Sequence, residues 1–159
     1  MIGTLGALGC GFTPESSSRT GRVQSVVDGD TIVVAGVGTV RYLGIDTPEL
    51  HHPRRPVERF AARASAANRA LVQGRTVRLE TDAEQRDAYG RLLAYVYVGE
   101  VMVNAQLVRM GMARQYPFAP NTLHRDMFAS LERQAMDARR GQWGPAEGGP
   151  PFGAVSPAG

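Results

Sequence analysis

The chain has 159 residues, enough for one domain with a hydrophobic core and too few to suggest a second. Its 43% apolar and 21% charged content excludes a disordered polymer, and no apolar run is long enough to span a membrane. The formal charge of +3 and pI of about 9.5 fit an anionic partner such as nucleic acid without requiring one.

All 18 basic residues are arginine. Genomic base composition accounts for that choice, yet every cation is therefore a planar fork able to grip phosphate or carboxylate with two hydrogen bonds. Residues 1–19 read as a leader or linker. The stretch "MIGTLGALGCGFTPESSS" resembles the end of a secretory or lipoprotein signal with Cys10 as the lipid-bearing residue. It lacks a positive first region and has Ala7 where a lipobox has Leu, so a plain disordered N-terminus is the competing reading. One cysteine allows no intrachain disulfide.

The folded unit is expected over 20–143. "GRVQSVVDGDTIVVAGVGTVRYLGI" reads as three strands rich in β-branched residues, with "DGD" and "GVG" as turns. A helix follows: Pro56 suits its first turn, Phe60, Ala64, Ala67 and Leu71 recur at helical spacing, and Gly74 lies past its end. "RTVRLET" and "RLLAYVYV" are further strands, the second led in by the turn "DAYG". "VNAQLVRMG" predicts a short helix capped by Asn104 and closed by Gly111. The last helix is expected from Asn121 or Thr122, with Leu123, Met127, Leu131, Ala135 and Ala138 on one face and its end at Gly141. The Pro/Gly-rich residues 144–159 read as a loose tail. Five short strands with a helix after the third predict an α+β fold: a five-stranded barrel of the OB type with three helices.

Two carboxylate groups punctuate the strands, "DGDT" (28–31) and "DTPE" (46–49). Taken singly, the first is a hairpin turn and the second a polar loop. Together, Asp30 and Asp46 could meet at one barrel end and offer hard oxygen ligands to a divalent cation, leaving positions open for water and substrate. Arg41 inside an apolar strand demands an anionic partner. In a regular strand Arg41 and Asp46 face opposite ways, so a shared site requires a bend, and Gly44 is the natural place for it. Arg91 at the head of a strand reads either as a solvated end or as a second phosphate ligand. His51 and His52 read as a surface pair, since calcium prefers oxygen.

"VVDGDTIVV", "VRYLGIDTPE", "HPRRPVERFA", "QRDAYGRLLAYVYV", "MVNAQLVRMGMA" and "RGQWG", in this order from about Arg22 to Trp143, resemble the staphylococcal-type nuclease family, the thermonucleases. The resemblance implies an OB barrel and a calcium-dependent phosphodiesterase acting on DNA and RNA, single-stranded or unstructured by preference, leaving 3′-phosphate ends. It implies Asp30, Asp46 and the Thr47 carbonyl as calcium ligands, Glu49 as the residue that positions or deprotonates water, and Arg41 and Arg91 on the scissile phosphate. Tyr89 and Tyr116 would face the nucleotide, and Arg54, Arg55 and Arg59 would make unspecific phosphate contacts. Ala88 and Phe118 depart from the family pattern of lysine and tyrosine, which bears on nucleotide affinity. A secreted or envelope-attached monomer is expected. The competing reading is a non-catalytic nucleic-acid- or protein-binding module on the same barrel.

Overall fold

The computed structural model describes residues 18–49 and 60–145. The elements among them are β1 (Arg19–Val26), β2 (Thr31–Val34), β3 (Gly38–Tyr42), β4 (Ile45–Asp46), α1 (Ala61–Val72), β5 (Thr76–Glu80), β6 (Leu92–Val98), β7 (Val101–Met102), α2 (Val103–Arg109), β8 (Arg114–Gln115), α3 (Arg125–Asp137) and a 3-10 turn (Gly141–Trp143).

Hydrogen bonding runs β3-β2-β1-β5-β6, and β3 also pairs with β6, so five strands close on themselves. β1 serves two neighbours. Arg19 to Arg22 pair with β5, and after a bulge between Val23 and Ser25 the strand pairs with β2. The closing pair is parallel, with Val40 opposite Leu92, Arg41 opposite Leu93 and Tyr42 opposite Ala94. This is the five-stranded barrel with three helices that the sequence predicts; β4, β7 and β8 are two-residue additions.

Alternation fills the barrel. Ile32 and Val34, Val40 and Tyr42, Val77 and Leu79 are buried inward-facing pairs, with Leu92, Ala94 and Val96 on the closing strand. The "DGD" and "GVG" turns fall where expected, between β1 and β2 and between β2 and β3.

Three expectations change. Asn104 is not the cap of α2. Met102 occupies that position, while the Asn104 side chain is fully buried, accepting the Val96 N–H at 2.9 Å and donating to the Leu43 carbonyl at 2.9 Å. A carboxamide in that position stitches α2 to the barrel, a long-range role that a cap pattern cannot reveal. The last helix starts at Arg125, and its buried face is Phe128, Leu131 and Ala135. Leu123 is 67% exposed and Met127 38%; the stripe that starts at Leu123 has no helix beneath its first residue, and Phe128 sets the phase. On α1 the buried face is Ala61, Ala64, Ser65, Asn68 and Val72, with Ala67 and Leu71 at its edge, because Asn68 is drawn inward by polar partners. Pro56 and the terminal segments 1–17 and 146–159 lie outside the described residues.

Candidate active site

Asp30 stands at the start of β2, where an acid is tolerated only with partners, and it is 4% exposed. It has them. Its Oδ2 accepts the Thr47 N–H at 2.8 Å and the Thr47 hydroxyl at 2.9 Å, and its Oδ1 accepts the Thr31 hydroxyl at 3.1 Å. The Arg41 guanidinium pairs with Asp30 through Nη1 and reaches Asp46 Oδ1 at 2.8 Å through Nη2. One planar fork thus bridges two carboxylates, each through its own nitrogen.

The bend that this requires is present. β3 stops at Tyr42, Gly44 takes φ +73°, and the chain resumes as β4 at Ile45. Two things fix glycine there. The left-handed φ penalises any Cβ, and a Cβ would lie 2.5 Å from the Phe128 ring of α3. β4 is then held by β8, with Ile45 opposite Gln115 and Asp46 opposite Arg114. The other glycine that matters is Gly29. A Cβ there would come within 2.6–2.9 Å of the Thr47 side chain and the Ala64 Cβ. The "DGD" turn can lie against the "DTPE" loop only because Gly29 has no side chain.

A cavity of about 140 Å³ opens at this end of the barrel, lined by Asp28, Asp30, Thr31, Arg41, Asp46, Thr47, Glu49 and Arg91. The six residues to which the resemblance gives metal, water or scissile-phosphate roles all line it. Glu49 is at its exposed rim. Arg91 arrives from the other side of the closing pair, one residue before β6, and is held by Asp87. Nε donates to Asp87 Oδ2 at 2.6 Å, and the Asp87 Oδ1 accepts the Arg91 and Tyr89 N–H groups at 3.0 Å each.

Charge crowding shows in the acids. Burial and the nearby Asp30 hold the Asp28 carboxyl above its ordinary value. Burial raises Asp46 as well, more than the Arg41 charge lowers it. Arg41 responds in the opposite sense: burial disfavours its charge, but Asp30, Asp46 and Asp28 hold the proton more firmly than usual. Asp87 meets some desolvation, which is outweighed by its bonds to Arg91, and its carboxyl is lowered.

The donor set is all oxygen, suited to a hard cation. Among the described residues no three acidic, His or Cys side chains form a metal cage. Asp30 and Asp46 alone leave most of a calcium shell to other oxygens, which fits a cation that must also bind substrate.

Several expected residues stand apart from the cavity lining. Tyr89 and Tyr116 are 86% and 54% exposed; Tyr89 carries the Arg91 guanidinium 5.6 Å from its ring centre. Phe118 is also exposed. Arg54, Arg55, Arg59, His51 and His52 lie outside the described residues. Four contributors have no role of their own in the sequence reading: Asp28 and Thr31, noted there only as parts of "DGDT", and Asp87 and Asn68. Asp87 had a local signal, since Asp at the head of "DAYG" is an Asx-turn residue that bonds backbone two positions on. Asn68 had none. It accepts the buried Tyr42 hydroxyl at 2.8 Å and donates to the Asp28 carbonyl at 3.0 Å, so α1 braces the turn from behind.

Residues 39–145 match the family model described as staphylococcal nuclease homologue. The thermonuclease of Staphylococcus hyicus is 35% identical over 131 residues, covering 80% of this chain and 78% of that protein. The thermonuclease of Staphylococcus intermedius is 37% identical over 124 residues, 76% of this chain and 74% of that protein. Endonuclease YncB of Bacillus subtilis (strain 168) is 40% identical over 140 residues, 82% of this chain and 66% of that protein.

Proposed function

The chain belongs to the staphylococcal nuclease family and is a nuclease, and from that premise we propose a calcium-dependent phosphodiesterase that cleaves DNA and RNA with little sequence specificity and leaves 3′-phosphate ends. The observation that carries the reading is the Arg41 fork between Asp30 and Asp46, in a cavity shared with Glu49 and Arg91. A binding module has no use for two paired acids, a rim carboxylate and two arginines in one small polar space.

In this reading Arg41 and Arg91 hold the non-bridging oxygens of the scissile phosphate. Glu49 orients a water and takes its proton as the new O–P bond forms. The P–O5′ bond breaks, the 5′ oxygen leaves and is protonated, and the phosphate stays on the 3′ side. Negative charge grows on the phosphoryl oxygens, and two guanidinium forks already at the cavity meet it, Arg41 by exchanging its carboxylate contacts for the phosphate; losing one such donor typically costs about 3–4 kcal/mol. Calcium, held by Asp30, Asp46 and the Thr47 carbonyl, would supply further charge neutralisation at those oxygens. Tyr89 and Tyr116 are exposed ring faces on which unpaired bases stack, which favours single strands, and Arg54 and Arg55 contact backbone phosphates. No described helix is long and apolar enough to cross a membrane. Export to the envelope or medium, with Cys10 as the candidate lipid site, and a monomeric state complete the proposal.

The test is degradation of single-stranded DNA by purified protein with calcium and then with a chelator. Absence of calcium-dependent cleavage removes the proposal. Glu49→Gln should keep nucleotide binding and slow cleavage by about 10²–10⁴-fold, the usual contribution of a positioned general base; near-normal rates would dismiss Glu49 as the base.

A further inference from the structure

Positive charge is unevenly spread. β1, α1, β5 and the Arg75 that leads into β5 carry six arginines (Arg19, Arg22, Arg63, Arg69, Arg75 and Arg78) against one carboxylate, Glu80. The whole chain is only +3, so the remainder is net acidic. By contrast α3 holds Arg125 and Arg133 against Asp126, Glu132 and Asp137.

β1 and β5 form one continuous wall, and the end of α1 packs beside β1. β1 and β5 pair with Thr20 opposite Arg78 and Arg22 opposite Thr76. Burial alternates along β5, with Val77 and Leu79 inside, so Thr76 and Arg78 point outward. Arg22 and Arg78 are then diagonal neighbours on the outer face, about 7–8 Å apart at the backbone, the scale on which phosphates follow one another along an extended strand. The Gln73 amide at the end of α1 donates to the Gln24 carbonyl of β1 at 3.1 Å, which sets the last turn of α1, with Arg69, beside β1. Arg78 lies 4.2 Å above the ring of Tyr97, its partner across β6, and also pairs with Glu80. Arg19, Arg22, Arg69 and Arg75 are exposed, and among the described residues none of them has an acidic partner.

The wall is not the cleft. In the ring β1-β2-β3-β6-β5, the β1–β5 pair lies across the barrel from β3, which carries Arg41. None of the exposed large apolar side chains among the described residues lies on β1, α1 or β5, so the wall has nothing to insert into a lipid surface. Unpaired guanidinium groups beside one aromatic ring suit a polyanionic backbone.

We infer that this wall is a second contact surface for nucleic-acid backbone, taking the part of a long strand that extends beyond the cleft. The inference rests on the nuclease reading and adds a length dependence to it: a strand long enough to pass round the barrel gains affinity, and a fragment that only fills the cleft does not.

The experiment pairs two measurements on Arg22→Glu/Arg75→Glu. Fluorescence anisotropy follows a labelled 30-nucleotide single strand in chelator over a range of salt, so that nothing is cut. Calcium-supported cleavage is followed on a dinucleotide. The expected results are at least tenfold weaker binding of the long strand and a loss of about 1.4 from the slope of log affinity against log salt, at about 0.7 per single-strand phosphate contact. The dinucleotide kcat/KM and the melting temperature should hold, and Arg133→Glu on α3 should change none of these. Unchanged affinity and slope would overturn the inference. So would a parallel loss on the dinucleotide, which would trace the effect to the cleft. Unchanged strand binding with lost binding to anionic phospholipid vesicles would make the wall a membrane surface instead. Failure of the wild-type protein to cut either substrate would sink the nuclease reading, whereas the anisotropy reads the wall without cleavage.

Discussion

Two arginines meet at the cavity by different means. Arg41 sits in the barrel wall, its side chain 19% exposed, between one carboxylate from the turn before β2 and one from β4. Arg91 sits at the end of a turn, its side chain 33% exposed, held by an aspartate four residues earlier. The first mounting is long-range and part of the fold's own electrostatics; the second is local and peripheral. One kind of side chain on one ligand can therefore be coupled strongly or weakly to stability.

The largest effect should come from removing Arg41. Arg41→Ala should cut cleavage by at least 10²–10³-fold. It should also cost about 3 kcal/mol of stability, because Asp30 keeps a buried charge that has lost its partner. Thermal melting in chelator reads the stability loss, and calcium should return part of it by replacing the missing cation. Arg91→Ala should match Arg41→Ala in activity yet cost less than about 1 kcal/mol, since a pair this exposed is screened by water. Equal melting shifts for the two variants would erase the contrast. Smaller again is Asp87→Asn, which keeps the turn but weakens the grip on Arg91. It should lower kcat/KM by about tenfold, by analogy with the loss of an orienting partner, with the melting point nearly unmoved.

The most delicate test is titration, which separates the two regions by sign. Carboxyl NMR should find Asp28 and Asp46 above the ordinary value of 3.8 and Asp87 below it. Because Asp87 is depressed, its bonds stabilise the fold at pH above the ordinary carboxylate value and are lost as pH falls through its lowered one. Asp28 and Asp46 are raised, so the folded state favours their protonated forms. Their ionisation costs stability at neutral pH, and that cost is relieved on acidification. The same protonation takes negative charge from the cavity, so calcium affinity should begin to fall at a higher pH than two carboxyls of ordinary value would give. Asp46 titrating below Asp87 would reverse the assignment.

Much of this was legible in the residues. β-branched runs and glycine turns mark the strands, and the parity of Arg41 against Asp46 forces a bend that only Gly44 could make cheaply. Three kinds of feature were not legible. One is which strands close the predicted barrel: nothing local in "VRYLG" or "RLLAY" says that these two pair, or that they do so in parallel. Another is the polar side chain that acts at a distance, as Asn104 and Asn68 do, each looking like an ordinary helix residue until its partners arrive from elsewhere. The last is helix phase, where Phe128 rather than Leu123 leads the buried face because it covers Gly44, burying a ring worth about 1.5–3 kcal/mol.

The closing pair of the barrel has one more consequence. Arg41 is joined to Leu93 across β3 and β6, and Arg91 is two residues from that rung. Arg91 thus joins Arg41 at the cavity only when this parallel pair is made, a long-range contact of the kind that forms slowly. A molecule in which this pair is open keeps Asp30, Arg41, Asp46 and Glu49 on one stretch of chain but lacks Arg91 beside them. On the proposed roles of Arg41 and Arg91, full cutting power then requires the closed barrel, because an open one offers a phosphate one guanidinium where the closed one offers two.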